Sequence, residues 1–180
     1  MRIFIFILLV LILSCKGKKE KEEIIPQEVL TQLLEGDLIL RAGTDVVSEG
    51  IKMMNEKDKS FSHAGIVIKD KDGKTKIAHS ISLGNGKKSL ISEDLIEQFL
   101  NPEENSGFMI LRYDEIVDYK GQISEEVRKM RLEGIEFDHK MDFKSDEKMY
   151  CTEFIYKVFK RVNKNFEGIL LKNYEGEDYL

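Results

Sequence analysis

The chain of 180 residues has no tryptophan, two prolines, two cysteines and three histidines. Two cysteines cannot build a disulfide framework. Two prolines beside 13 glycines exclude collagen-like and low-complexity chains. Positive charge is not in excess, since 28 lysines and arginines meet 33 aspartates and glutamates for a net charge of −5. That balance, with no basic stripe interleaved with aromatics, argues against nucleic acid as a partner. No apolar run reaches the roughly 17–25 residues that a transmembrane helix needs. What remains, 42% hydrophobic and 34% charged residues, is too apolar for disorder and too mixed for a polytopic membrane protein. The length suits one domain with a sizeable core, and the chain carries no internal repeat.

Residues 3 to 13 are apolar throughout and follow Arg2, the pattern of a short secretory leader. Ile12-Leu13-Ser14-Cys15 resembles a bacterial lipobox, with Leu13 standing where a smaller residue is more usual. The alternative is an ordinary leader with an incidental cysteine. The expected organisation is a signal peptide over 1–14, a lipidated Cys15 with a charged tether over 15–24, and one domain over 25–180. The expected place is the bacterial cell envelope, as a membrane-anchored lipoprotein on the periplasmic or surface side. Cys151 is then a lone thiol in an oxidising compartment, where stability alone gives little reason to keep one.

Ile25-Pro26-Gln27 to Leu34-Glu35-Gly36 reads as a short helix with Pro26 in its first turn and Gly36 as its stop, and Asp37 to Leu40 as a buried strand. Val46, Val47, Ile51 and Met54 have helical spacing within 44–56. Ser62–Lys69 and Lys74–Ser82 read as strands joined by a three-residue loop, Lys71-Asp72-Gly73, with Gly73 at positive φ. Ser92-Glu93-Asp94 reads as the start of a helix with Leu95, Ile96, Phe99 and Leu100 inward. Phe108–Tyr113 reads as a strand and Ser124–Leu132 as a helix closed by Gly134. Lys148 to Val162 has the strongest helical period, with Cys151, Phe154, Ile155, Val158, Phe159 and Val162 on one face. Helices flanking a cluster of antiparallel strands point to an α+β fold.

Three-residue loop geometry puts His63 and His79 on the same face of the hairpin, as diagonal neighbours within side-chain reach; a two-residue loop would separate them. Gly65 opposite His79 is expected to leave room beside the ring. Cys151 falls in the first turn of its helix, where unpaired N–H groups and the dipole favour an anion, so an acidic thiol is expected. Those N–H groups could also hold an oxyanion. Nucleophile, base and orienting group are thus all available. The competing readings are a small buried cysteine on an apolar face and histidines satisfied in the core. His139 sits among charges and reads as exposed; Tyr113, Tyr119 and Tyr156 read as packing. No close pair of metal ligands occurs, and neither a metal nor a cofactor is expected.

Gly36-Asp37-Leu38-Ile39-Leu40, Phe61-Ser62-His63-Ala64-Gly65-Ile66-Val67, Ile77-Ala78-His79-Ser80 and Tyr150-Cys151-Thr152-Glu153-Phe154-Ile155-Tyr156 follow one another in that order. This series resembles the circularly permuted NlpC-type cysteine hydrolases of the YiiX/YebB-like branch, relatives of lecithin retinol acyltransferase. The resemblance runs over about residues 36 to 160 and implies a papain-like fold with the histidine before the cysteine helix. It implies Cys151 as nucleophile, His63 as general base and His79 as third member, a position where many relatives have Glu. Tyr150 and Glu153 match the motif around the nucleophile, Tyr150 as oxyanion support and Glu153 as a structural residue, while Asp37 of the Gly-Asp pair reads as turn chemistry. The implied activity is cleavage of an amide or ester in a cell-wall peptide or a lipid acyl substrate. The alternatives are an inactive envelope lipoprotein using the fold to bind, and a purely structural lipoprotein. Oligomeric state is not legible.

Overall fold

The computed structural model describes residues 25, 27–55, 58–83, 90–143 and 145–167, together with the backbone of 171–172 and 178–179. The expected leader, Cys15 and the tether lie outside the described residues.

A short helix α1 (Gln27–Gln32) ends before Gly36, whose φ of +94° only glycine adopts without strain. Strand β1 (Leu38–Gly43) follows, then helix α2 (Val46–Met54), hairpin strands β2 (His63–Lys69) and β3 (Thr75–Ser80), and β4 (Ile91–Asp94). A one-turn helix α3 (Ile96–Phe99) leads to β5 (Asn105–Leu111), a 3-10 turn over Asp114–Tyr119, α4 (Gln122–Glu133) and α5 (Cys151–Val162). Short strands β6 (Leu171–Lys172) and β7 (Asp178–Tyr179) pair with each other.

Five strands form one antiparallel sheet in the order β4-β3-β2-β1-β5. It is covered on both faces, which is why β2 reads as a continuous apolar run. Leu38, Ala64, Ile66 and Ile68 pack with Val127 and Met130 of α4 and with Phe154, Val158 and Phe159 of α5. The alternate residues Ile39, Val67 and Ile77 pack with Ile25, Leu33 and Phe99 on the other face. The two cores are thus set by the strand period of two.

The hairpin has the expected register, Ile66 opposite Ala78 and Lys69 opposite Thr75. Gly73 at φ +77° completes its loop, and the Asp70 carboxylate accepts from the N–H groups of Asp72 and Lys74. Asp37 is structural: its buried carboxylate takes Arg112 Nε at 2.6 Å and Nη2 at 2.7 Å and accepts the Leu34 N–H.

One element departs from expectation. Ser92-Glu93-Asp94 is not a helix start but strand β4, paired to β3 with His79 opposite Ser92. Its three polar residues mimic an N-cap, yet the open edge of β3 offers them backbone partners first. The helix that follows is a single turn.

Candidate active site

His63 is the first residue of β2 and His79 lies near the end of β3, where the hairpin ladder has ended. Their rings meet on one sheet face, His63 Nε2 to His79 Nδ1 at 2.9 Å. His79 is 1% exposed and its Nε2 lies 3.0 Å from Asp94 Oδ2. Asp94 is two residues along β4 from Ser92, the residue opposite His79, so it emerges on the same face. Both contacts are the diagonal cross-strand kind.

The hydrogen bonds constrain the tautomers. The Asp94 carboxylate is held below its usual range, chiefly by the bond from His79, and a carboxylate only accepts. His79 therefore donates from Nε2 and, when neutral, accepts at Nδ1. With His79 neutral, His63 in turn donates from Nε2, which leaves its Nδ1 as a bare lone pair. The relay delivers a histidine with a free basic nitrogen.

Phe99 of α3 fills the angle between the rings, with centroids 5.7 Å from His63 and 5.0 Å from His79. It uses the space expected beside His79. A Cβ built on Gly65 would lie 2.4 Å from Ile77 Cγ2 and 3.1 Å from Phe99 Cζ. Gly65→Ala is expected to cost about 1–3 kcal/mol by overpacking and to displace Phe99. Denaturant unfolding measures the first, and a histidine-ring NMR shift change the second.

Cys151 is the first residue of α5, with Tyr150 at the N-cap. Helix α5 lies against the sheet face opposite the histidines, and only its N-terminus reaches the end of the sheet beside β2. There the backbone groups of Ala64, next to His63 in sequence, of Thr152 and of Cys151 itself favour the thiolate. Even so, burial pushes the Cys151 thiol up from its ordinary value, outweighing these donors and the more distant Arg41 charge. The expectation of an acidic thiol is thereby corrected. His63 is pushed well below its usual value, first by burial and then by His79 and Arg41. The resting pair is a thiol and a neutral imidazole.

Tyr150 and Glu153 shape the helix start. The Tyr150 N–H donates to Glu153 Oε2 at 3.3 Å, and Glu153 Oε1 pairs with Lys157 Nζ at 2.8 Å. Glu153 is 1% exposed and its carboxyl is raised by burial, so its work is to close the first turn. His139 is exposed and meets Phe137 edge-on, while Tyr113 packs against Phe159 and Tyr156 against Phe166.

Sequence reasoning missed two residues. Asp94 was hidden by its apparent place in a helix cap; its parity with Ser92 in a strand would have shown it. Arg41 lies directly opposite His63 on β1. Its guanidinium donates from Nη1 to Phe99 O at 2.9 Å and sits 4.8 Å over the Phe99 ring. An arginine two residues beyond buried Ile39, on the same strand face, was the available signal.

The family described as permuted papain-like amidase enzyme, YaeF/YiiX, C92 family, matches residues 32–174. Among solved structures, the chain is similar to the crystal structure of metalloprotein YiiX from Escherichia coli O157:H7. The TM-score is 0.55 at 16% identity, covering 80% of this chain and 75% of that one. At that identity the likeness is one of fold. No curated protein matches.

Proposed function

The chain belongs to the permuted papain-like amidases of the YaeF/YiiX, C92 family and is a cysteine hydrolase of papain-like fold; from that premise we propose that Cys151 is its nucleophile, His63 its base, and His79 with Asp94 the relay that holds the base. The observation that carries this reading is the unbroken path from His63 through His79 to Asp94, 2.9 and 3.0 Å, beginning one residue from Ala64, whose backbone favours the Cys151 thiolate.

The steps follow from the resting state. His63 Nδ1 takes the Cys151 proton as the sulfur attacks the substrate carbonyl, forming a C–S bond. The imidazolium keeps its Nε2 proton on His79, and Asp94 balances the charge through His79. Backbone N–H groups at the start of α5 face the developing oxyanion. Collapse breaks the bond to the leaving amine or alcohol, which takes its proton from His63. Water then gives a proton to His63, attacks the thioester, and releases a carboxylic acid and the Cys151 thiol. The solved neighbour is called a metalloprotein. Among the described residues of this chain no three His, Cys, Asp or Glu side chains group to hold an ion.

The scissile bond is an amide or an ester of a cell-wall peptide or a lipid acyl chain, met at a membrane that Cys15 anchors. The support for the anchor is sequence alone: the apolar run ending at Ser14-Cys15 and the charged stretch after it. A fatty-acid analogue fed to expressing cells should label wild type and spare Cys15→Ala; equal labelling of both refutes the anchor. The site itself is tested with electrophilic acyl and peptide probes and mass mapping of the adduct, expected on Cys151.

A further inference from the structure

Helix α2 is built inside out. Its 89% exposed Val46, 71% exposed Val47, 74% exposed Met53 and 68% exposed Met54 fall, at 100° per residue, within one arc of about 120° that also contains Gly50. Ser48 and Lys52 point the other way with half-buried Ile51 beside them, while exposed Glu49 borders the arc next to Met53. Ser48 Oγ donates to Asp45 Oδ2 at 2.7 Å, and a Cβ on Gly43 would strike Ser48 Oγ at 2.1 Å. Lys52 Nζ reaches back to Gly43 O at 2.7 Å. A helix docked on its own core places these groups in reverse. Contiguous exposed valine and methionine mark a surface that another phase or partner covers.

This helix belongs to the rim of the proposed site. Asn55 Nδ2 at its C-terminus donates to Phe61 O, and Gly43 N just before it donates to Ser62 Oγ; residues 61 and 62 lead directly into His63. The tether arrives nearby: Ile25 is buried in the cluster with Phe99, which touches both histidine rings. Between Cys15 and Ile25 there are ten residue steps, so a lipid on Cys15 holds the domain within about 35 Å of the bilayer.

We propose that the Val46–Val47–Met53–Met54 face of α2 inserts into the lipid surface to which Cys15 tethers the chain, presenting the His63 end of the sheet to substrates at that surface. The inference rests on the anchored-hydrolase reading. The occupant is a bilayer, because a short tether sets the domain against one permanently, whereas a second copy or a peptide would have to be met by chance. Shallow insertion of a small apolar helical face is how interfacial helices bind.

The absence of tryptophan makes the test direct. Acylated full-length chain carrying Met53→Trp is reconstituted in phosphatidylcholine–phosphatidylglycerol vesicles, with and without brominated acyl chains. Val46→Trp is the second reporter and Leu132→Trp, 89% exposed on α4, the control. Trp at 53 and 46 is expected to shift to the blue and lose most of its emission to the bromolipid, while Trp at 132 is unchanged. Vesicle-bound protein with unquenched Trp at 53 and 46 overturns the inference and leaves the anchor standing. Protein that does not sediment with vesicles overturns both. A blue shift that follows protein concentration and ignores bromolipid means a second copy covers the face, which also overturns it.

Discussion

Cys151→Ala is expected to abolish hydrolysis, a loss of about 10⁴-fold or more in kcat, and His63→Ala to cost about 10²–10⁴-fold. The two losses should not add, because without the nucleophile the base has nothing to deprotonate. The pH profile of the wild type distinguishes this site from one that rests as an ion pair. With His63 pushed well below its usual value and the Cys151 thiol pushed up, the base stays neutral in mild acid. The acid limb of kcat/KM should therefore lie below pH 6.5, with iodoacetamide alkylation still rising above pH 9. The same shift bears on stability. A histidine kept neutral in the fold but free to protonate when unfolded costs nothing at high pH. Its penalty grows as pH falls below the unfolded value of about 6.5. His63→Phe should flatten that part of the stability curve. Wild-type activity surviving in Cys151→Ala would remove the assignment.

His79→Phe is expected to lower kcat by about 10²–10³-fold with KM nearly unchanged, since a positioning residue acts on the base and not on the substrate. The phenyl ring fills the space but leaves His63 Nε2 without an acceptor and frees the wrong tautomer. His79→Glu restores an acceptor yet sets a second carboxylate against Asp94, so its activity should be intermediate. The pair His79→Glu with Asp94→Asn removes that repulsion and should recover most of the rate. Asp94→Asn alone can still accept from His79 through its amide oxygen but loses the charge that balances the imidazolium. It should cost less than His79→Phe and shift the acid limb downward. If all four variants lose activity equally, together with their fold by circular dichroism, the histidine pair is core structure and no relay.

Much of the chemistry was legible because it follows from local period and turn geometry. A strand alternates with period two, so the three-residue loop closed by Gly73 decided which face His63 and His79 share, and the 2.9 Å contact between their rings agrees with it. The spacing of α5 likewise put Cys151 at a helix start. The ordered motifs pointed to the permuted papain-like family, which matches residues 32–174.

What the sequence by itself determined, then, is what neighbours along the chain decide: the hairpin, the long helices and the pairing of the two imidazoles. Tertiary structure decided the rest, because the deciding partner lies far away in sequence. Asp94 became a strand residue and the end of the relay only because β3 had an open edge for β4 to pair with. Arg41 joined the site only because β1 runs beside β2. The thiol's rise instead of its fall was settled by burial, a property of the whole packed surroundings that helix position does not reveal. The outward turn of Val46, Val47, Met53 and Met54 was settled where α2 meets β1, with Lys52 Nζ on Gly43 O; helical spacing says that a face exists, and only the fold says which way it looks.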